Sequence, residues 1–173
     1  MTRERPPVLA PAIGLVVAFA VWWLLGGWLA PAASDPAQRM AVACAALLPS
    51  AAVLLAMIVV QMAARNVAGA IDPTAGRDTH FLQTNQRAIT NTVEQLTLFV
   101  PSLLALAARV RPDTMRQVVA LALVFALARI VFWIGYLLGA RLRAPGMAVT
   151  LAVNVATLTA AAWAWLAWHA PHG

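Results

Sequence analysis

The chain has 173 residues, of which 62% are apolar and only 10% charged, with a formal net charge of +6. Soluble domains carry about 25% charged residues, so this balance, with a mean hydropathy of +0.80, excludes a disordered chain, a coiled coil and an ordinary soluble domain. All 12 basic residues are arginine; they lie scattered between apolar runs without a basic block, which argues against nucleic-acid binding.

A hydrocarbon core needs about 20 apolar residues as helix. The first candidate span runs from Ala12 to Ala30 without a charge. Arg3 and Arg5 before it and Ala30-Pro31-Ala32 after it resemble a signal peptide. However, its 19 residues with Trp22, Trp23 and Trp28 exceed a signal peptide's apolar region of about 7–15 residues, so a retained anchor is expected. The second span runs from Met40 to Ala64, interrupted by Pro49, Ser50 and Gln61. The third is apolar only from Leu96 to Ala108, after a polar stretch from Phe81 to Gln95. The fourth, Val118 to Ala140, carries Arg129 near its middle, and the fifth runs from Met147 to Trp168. The expected fold is therefore an all-α, multi-pass integral membrane protein, with residues 1–39 as anchor and linker and 40–173 as a four-helix membrane domain.

Five spans put the termini on opposite sides. With the N-terminus cytoplasmic, seven arginines (3, 5, 65, 77, 87, 141 and 143) lie inside and four (39, 109, 111 and 116) outside, as the positive-inside rule requires. Trp163, Trp165 and Trp168 read as an aromatic belt at the outer interface. Cys44, the single cysteine, excludes an intramolecular disulfide and a cysteine metal cluster. His169 and His172 read as solvent-exposed tail residues, and no metal is expected. No Gly-rich nucleotide loop, HExxH or GxSxG occurs.

Charged and amide groups inside a membrane are costly, so each needs a partner or a task. Arg87, Asn91 and Glu94, spaced i, i+4, i+7, share one face of the third helix. Arg129, Tyr136 and Arg143 recur every seven residues along the fourth. Glu94 lies 15 residues before Arg109, and Arg129 lies 13 after Arg116. At about 1.5 Å per residue, that puts the two within about 3 Å of one depth. A Glu94–Arg129 charge pair is expected, with Asn91 level with Tyr136. Such a pair is explained by helix register alone. Arg87 and Arg143 suit either interfacial snorkelling or an anionic site that takes carboxylates, phosphates or a thiolate.

Arg87-Ala-Ile-Thr-Asn91-Thr-Val-Glu94 resembles the Arg-x-x-x-Asn-x-x-Glu signature on the second helix of the MAPEG family, membrane proteins of eicosanoid and glutathione metabolism. Arg129-Ile-Val-Phe-Trp-Ile-Gly135-Tyr136, with Arg141-Leu-Arg143 and Pro145-Gly146 after it, resembles the family's third helix. The resemblance covers about residues 42–170 and leaves the first span as an addition to a four-helix core. It implies a homotrimer with glutathione sites between subunits, facing the cytoplasm; a bacterial inner membrane is the expected location. By position, Arg87, Asn91, Glu94, Tyr136 and Arg65 would bind glutathione as co-substrate, and Arg143 would stabilise its thiolate. A lipophilic substrate would enter from the membrane lipids. The sequence departs from the family at Thr84, Ile89, Gln95 and Phe132, each a lost polar contact to glutathione. The resemblance implies a glutathione transferase or peroxidase. The competing readings are a non-catalytic lipid-binding scaffold of the same fold and a small transporter, the last without an inverted repeat to support it.

Overall fold

The computed structural model describes residues 9–29, 33–139 and 142–168. Ala30–Ala32, Arg3, Arg5, Arg141, His169 and His172, which figure in the sequence reading, lie outside the described residues, as does the side chain of Trp168. Five long helices follow one another: α1 Leu9–Trp28, α2 Pro36–Ala68, α3 His80–Arg109, α4 Met115–Leu138 and α5 Ala144–Trp168. No strand occurs among the described residues. Four of the helices, α1, α2, α4 and α5, are long and apolar enough to cross a membrane. α3 is equally long at 30 residues, and its polar N-terminal half lowers its hydropathy.

Local chemistry sets the helix ends. Asp35 caps α2 by accepting from the Ala37 N–H at 3.0 Å, and Pro36 starts the first turn. Gly69 ends it in the left-handed conformation, φ 63°. α2 therefore reaches 33 residues, about 50 Å, and carries Arg39 and Arg65 beyond the apolar run at its two ends. Thr79 caps α3 through the Leu82 N–H at 3.3 Å. α2 and α3 continue through Pro49 and Pro101.

α2, α3, α4 and α5 form one bundle, and α1 lies against α4 and α5. Near the α3–α4 turn the core centres on Phe99 and Phe125, stacked with ring centroids 4.1 Å apart. At that end the Arg39 Nε–H donates to the Ala107 carbonyl, the Trp165 Nε1–H to the Ala105 carbonyl, and Arg109 lies over the Trp165 ring at 4.0 Å. Nearer the opposite end, Val53, Met57, Ala88, Ile89 and Phe132 form a smaller core. α1 is held by its Trp22 Nε1–H donating to the Gln117 carbonyl at 3.2 Å. It approaches closely at Gly14 and Gly26, where a Cβ would meet Pro145 and the Gln117 side chain.

Three buried polar ties fix the bundle. Trp133 of α4 donates to Asn85 Oδ1 at 2.7 Å, Asn85 Nδ2 to Gln61 Oε1 at 2.9 Å, and Gln61 Nε2 to the Leu82 carbonyl at 3.1 Å. This relay joins α2, α3 and α4. Asn154 of α5 donates to Gln95 Oε1 of α3 at 2.7 Å. Arg129 of α4 reaches Asn91 and Thr92 of α3. In an apolar solvent such groups must find partners inside the protein, so these ties set register more firmly than apolar contacts can.

Candidate site at the Arg65 end of the bundle

The α4–α5 turn builds one wall of the candidate site. Two glycines let its strands of backbone close: a Cβ at Gly135 would fall on the Leu142 carbonyl, and one at Gly146 on the Phe132 backbone. Arg143 thereby returns over α4, its guanidinium carbon 4.7 Å from the Tyr136 ring centroid. The Tyr136 and Phe132 rings are 5.4 Å apart, and the Arg129 guanidinium lies 4.0 Å from the Phe132 ring. The four side chains make a cation–aromatic–aromatic–cation column. Arg143 is exposed at its outer end, and Arg129 is buried at its inner end. The seven-residue spacing holds as a helical face only for Arg129 and Tyr136. Arg143 lies past the end of α4 and is placed by the turn.

α3 builds the second wall. Arg87, Asn91 and Glu94 do share one face: Arg87 and Glu94 are exposed and Asn91 is half-buried. Gln83, Thr90 and Thr97 extend the same outward stripe. The expected Glu94–Arg129 pair does not form. Arg129 Nη2 donates instead to Thr92 Oγ1 at 2.6 Å and Asn91 Oδ1 at 3.2 Å. Direction excludes the pair: two residues turn a helix by about 200°, so Thr92 faces α4 while Glu94 faces outward. The register also differs from the expected one. Asn85 lies level with Trp133, which places Tyr136 about two and a half helical turns from Asn91 rather than beside it. Among the described residues no hydrogen bond or ion pair joins Tyr136 or Arg143 to Arg87, Asn91 or Glu94.

Arg65 stands at the same end but is already committed. Its Nη1 and Nη2 pair with both Asp78 carboxylate oxygens at 2.7 and 3.0 Å, and Nη1 also donates to the Ala70 carbonyl. This bidentate pair closes the α2–α3 loop. Within that loop Asp72 accepts from the Thr74 hydroxyl at 2.7 Å and its N–H at 2.8 Å. The hydroxyl bond first, then the backbone bond, hold its carboxyl below the usual carboxylate range, against a slight opposing effect of burial. No cluster of three or more His, Cys, Asp or Glu that could hold a metal occurs among the described residues.

Sequence reasoning missed the Gln61–Asn85–Trp133 relay and the role of Thr92. The signal was present: Gln61 interrupts an apolar run, and Asn85 lies in the polar stretch that precedes Arg87. Neither belongs to a charged motif, and the partner of a lone amide becomes visible only once the helices pack.

No curated protein matches the chain closely enough to stand as a relative. The family model of the MAPEG family matches residues 40–163, which takes in α3, α4 and most of α2 and α5 and leaves α1 outside. With its helical membrane bundle and the Arg87–Glu94 signature on α3, the chain belongs to the MAPEG family.

Proposed function

We propose that this integral membrane protein is a glutathione-dependent transferase or peroxidase acting on lipophilic electrophiles or lipid hydroperoxides. The observation that carries the reading is the placement of Arg143 over Tyr136, exposed at one end of the bundle. A thiolate is the reactive form of glutathione, and a nearby guanidinium favours it over the thiol. As a transferase, the thiolate attacks an electrophilic carbon, a C–S bond forms and the leaving group departs. As a peroxidase, two glutathiones are oxidised to the disulfide while the hydroperoxide is reduced to alcohol and water.

The two walls do not meet within one chain. The outward stripe of Arg87, Thr90, Glu94 and Thr97 on a helix of the bundle is costly against lipid. We infer that a second copy covers it in a homotrimer. In that arrangement Arg87, Asn91 and Glu94 of one subunit face Tyr136 and Arg143 of its neighbour, with glutathione between them on the cytoplasmic side. Arg65 then acts through the Asp78-closed loop rather than as a free cation.

One observation favours the runner-up, a non-catalytic lipid-binding scaffold. Phe132, where several catalytic family members carry a tyrosine, is 2% exposed and closed against Arg129, so it offers glutathione no hydroxyl. Isothermal titration of the purified chain in detergent separates the two. The enzyme reading expects glutathione binding at millimolar concentration or below, with thiolate absorbance and consumption of a lipid hydroperoxide. No binding at millimolar glutathione would sink it.

A further inference from the structure

Arg129 is fully buried, and its only hydrogen bonds among the described residues run to two neutral oxygens, Thr92 Oγ1 and Asn91 Oδ1. Its Nε and Nη1 have no partner there. Thr92 spends its own proton on the Ala88 carbonyl at 2.8 Å, so its oxygen is left to accept from Arg129. The same logic fixes Asn91. A carboxamide has one accepting and one donating end. Turning the amide over would set its N–H groups against a guanidinium that can only donate. Asn91 Oδ1 must therefore face inward, and its amino group faces the outward side of α3, beside exposed Arg87. That amino group makes no hydrogen bond to any described residue.

We infer that Arg129 is a positioning residue: buried and out of ligand's reach, it locks the Asn91 carboxamide so that the site presents a donor, matched to a ligand carboxylate or carbonyl. This rests on the glutathione reading for the ligand's identity, but the locking itself does not. A register role alone would be satisfied by any group that holds α4 to α3. The locking role specifically requires a donor at Asn91 Oδ1.

The test uses the full chain in detergent with 15N-labelled asparagine. The chain has four asparagines, and Asn91→Ala identifies the Asn91 side-chain NH2 signals. Arg129→Met, which has no donor, is expected to move those signals while leaving the Asn85 and Asn154 pairs in place. Arg129→Lys, which restores a cationic donor, is expected to return them toward the wild-type position. Glutathione affinity should fall about tenfold in Arg129→Met, about tenfold in Asn91→Ala, and no further in the double variant, as for two groups acting through one contact. Unmoved Asn91 signals would overturn the inference. So would losses that multiply in the double variant, joint movement of the Asn85 and Asn154 signals, or failure of both Arg129 variants to fold, each of which marks a purely structural group. If the wild-type chain binds no glutathione, the glutathione reading falls, while the Asn91 signals still decide the role of Arg129.

Discussion

The Arg143 guanidinium carbon lies 4.7 Å from the centre of the Tyr136 ring, at the exposed end of a column that begins with buried Arg129. The ring restrains a flexible cation that would otherwise sample many rotamers, so Arg143 is presented in one place. Arg143→Ala should remove the thiolate absorbance of bound glutathione and lower kcat by about a hundredfold, the scale of losing one charge-stabilising donor. The fold should survive, because Arg143 is exposed. Stopped-flow absorbance and thermal unfolding on the same sample check both halves. A retained thiolate signal would move the role to another arginine.

Asn85 sits at the centre of the Trp133–Asn85–Gln61 relay and is fully buried. Asn85→Leu leaves Trp133 Nε1–H and Gln61 Oε1 without partners. The expected loss is about 1–3 kcal/mol of stability, read as a lower thermal midpoint in detergent. Adding Trp133→Phe and Gln61→Leu should recover part of it, since no polar atom is then orphaned.

Glu94 gives the sharpest contrast between the sequence reading and the fold. If it neutralised Arg129, removing it would leave a buried charge and cost about 3–5 kcal/mol. It is exposed and makes no ion pair among the described residues. Glu94→Gln should therefore leave the thermal midpoint of the isolated subunit almost unchanged. Its effect should appear instead in glutathione affinity and in the trimer fraction measured by native mass spectrometry. A large loss of subunit stability with an unchanged trimer fraction would contradict this assignment.

The approximate bounds of α1, α2, α4 and α5 were legible because lipid demands long apolar runs, and those runs are visible without any partner; α3, half of it polar, has no such run. The face shared by Arg87, Asn91 and Glu94 was legible because 3.6-residue periodicity is local. What α3 turns toward α4 was not. Counting residues from the α3–α4 turn set Asn91 beside Tyr136, whereas Asn85 lies level with Trp133; both register and rotation about each axis depend on packing. Here Thr92, not Glu94, is turned toward Arg129. The placement of Arg143 was likewise hidden, because it depends on Gly135 and Gly146 letting the turn fold back on α4.

Asp72 supplies a pH dependence outside the membrane. Its carboxyl is held below the ordinary value by Thr74. A depressed carboxylate contributes stability above its unfolded value, and that contribution disappears as pH falls through the folded value. The α2–α3 loop should therefore keep its Asp72–Thr74 turn until the pH drops below the ordinary aspartate value of about 3.9. A carboxyl-carbon titration by NMR should place the Asp72 midpoint below that value, and Thr74→Ala should raise it. A midpoint unchanged by Thr74→Ala would show that the turn does not hold the charge.

Gly146 tests how the site wall is built. It is buried at the start of α5, and a Cβ there would fall on the backbone of Phe132 and near the Ala128 carbonyl. Backbone cannot swing aside as a side chain can, so α5 must move off α4. Gly146→Ala should cost about 1–3 kcal/mol, the usual range for an overpacked contact. The displacement also acts on function, because Arg143 lies three residues away on the same turn. Thermal midpoint and glutathione affinity should fall together in this variant. Gly27→Ala, at an exposed position of α1 with open space around it, is the control and should change neither. If Gly146→Ala lowers stability but leaves the thiolate signal intact, the turn is a packing device and Arg143 is held by Tyr136 alone.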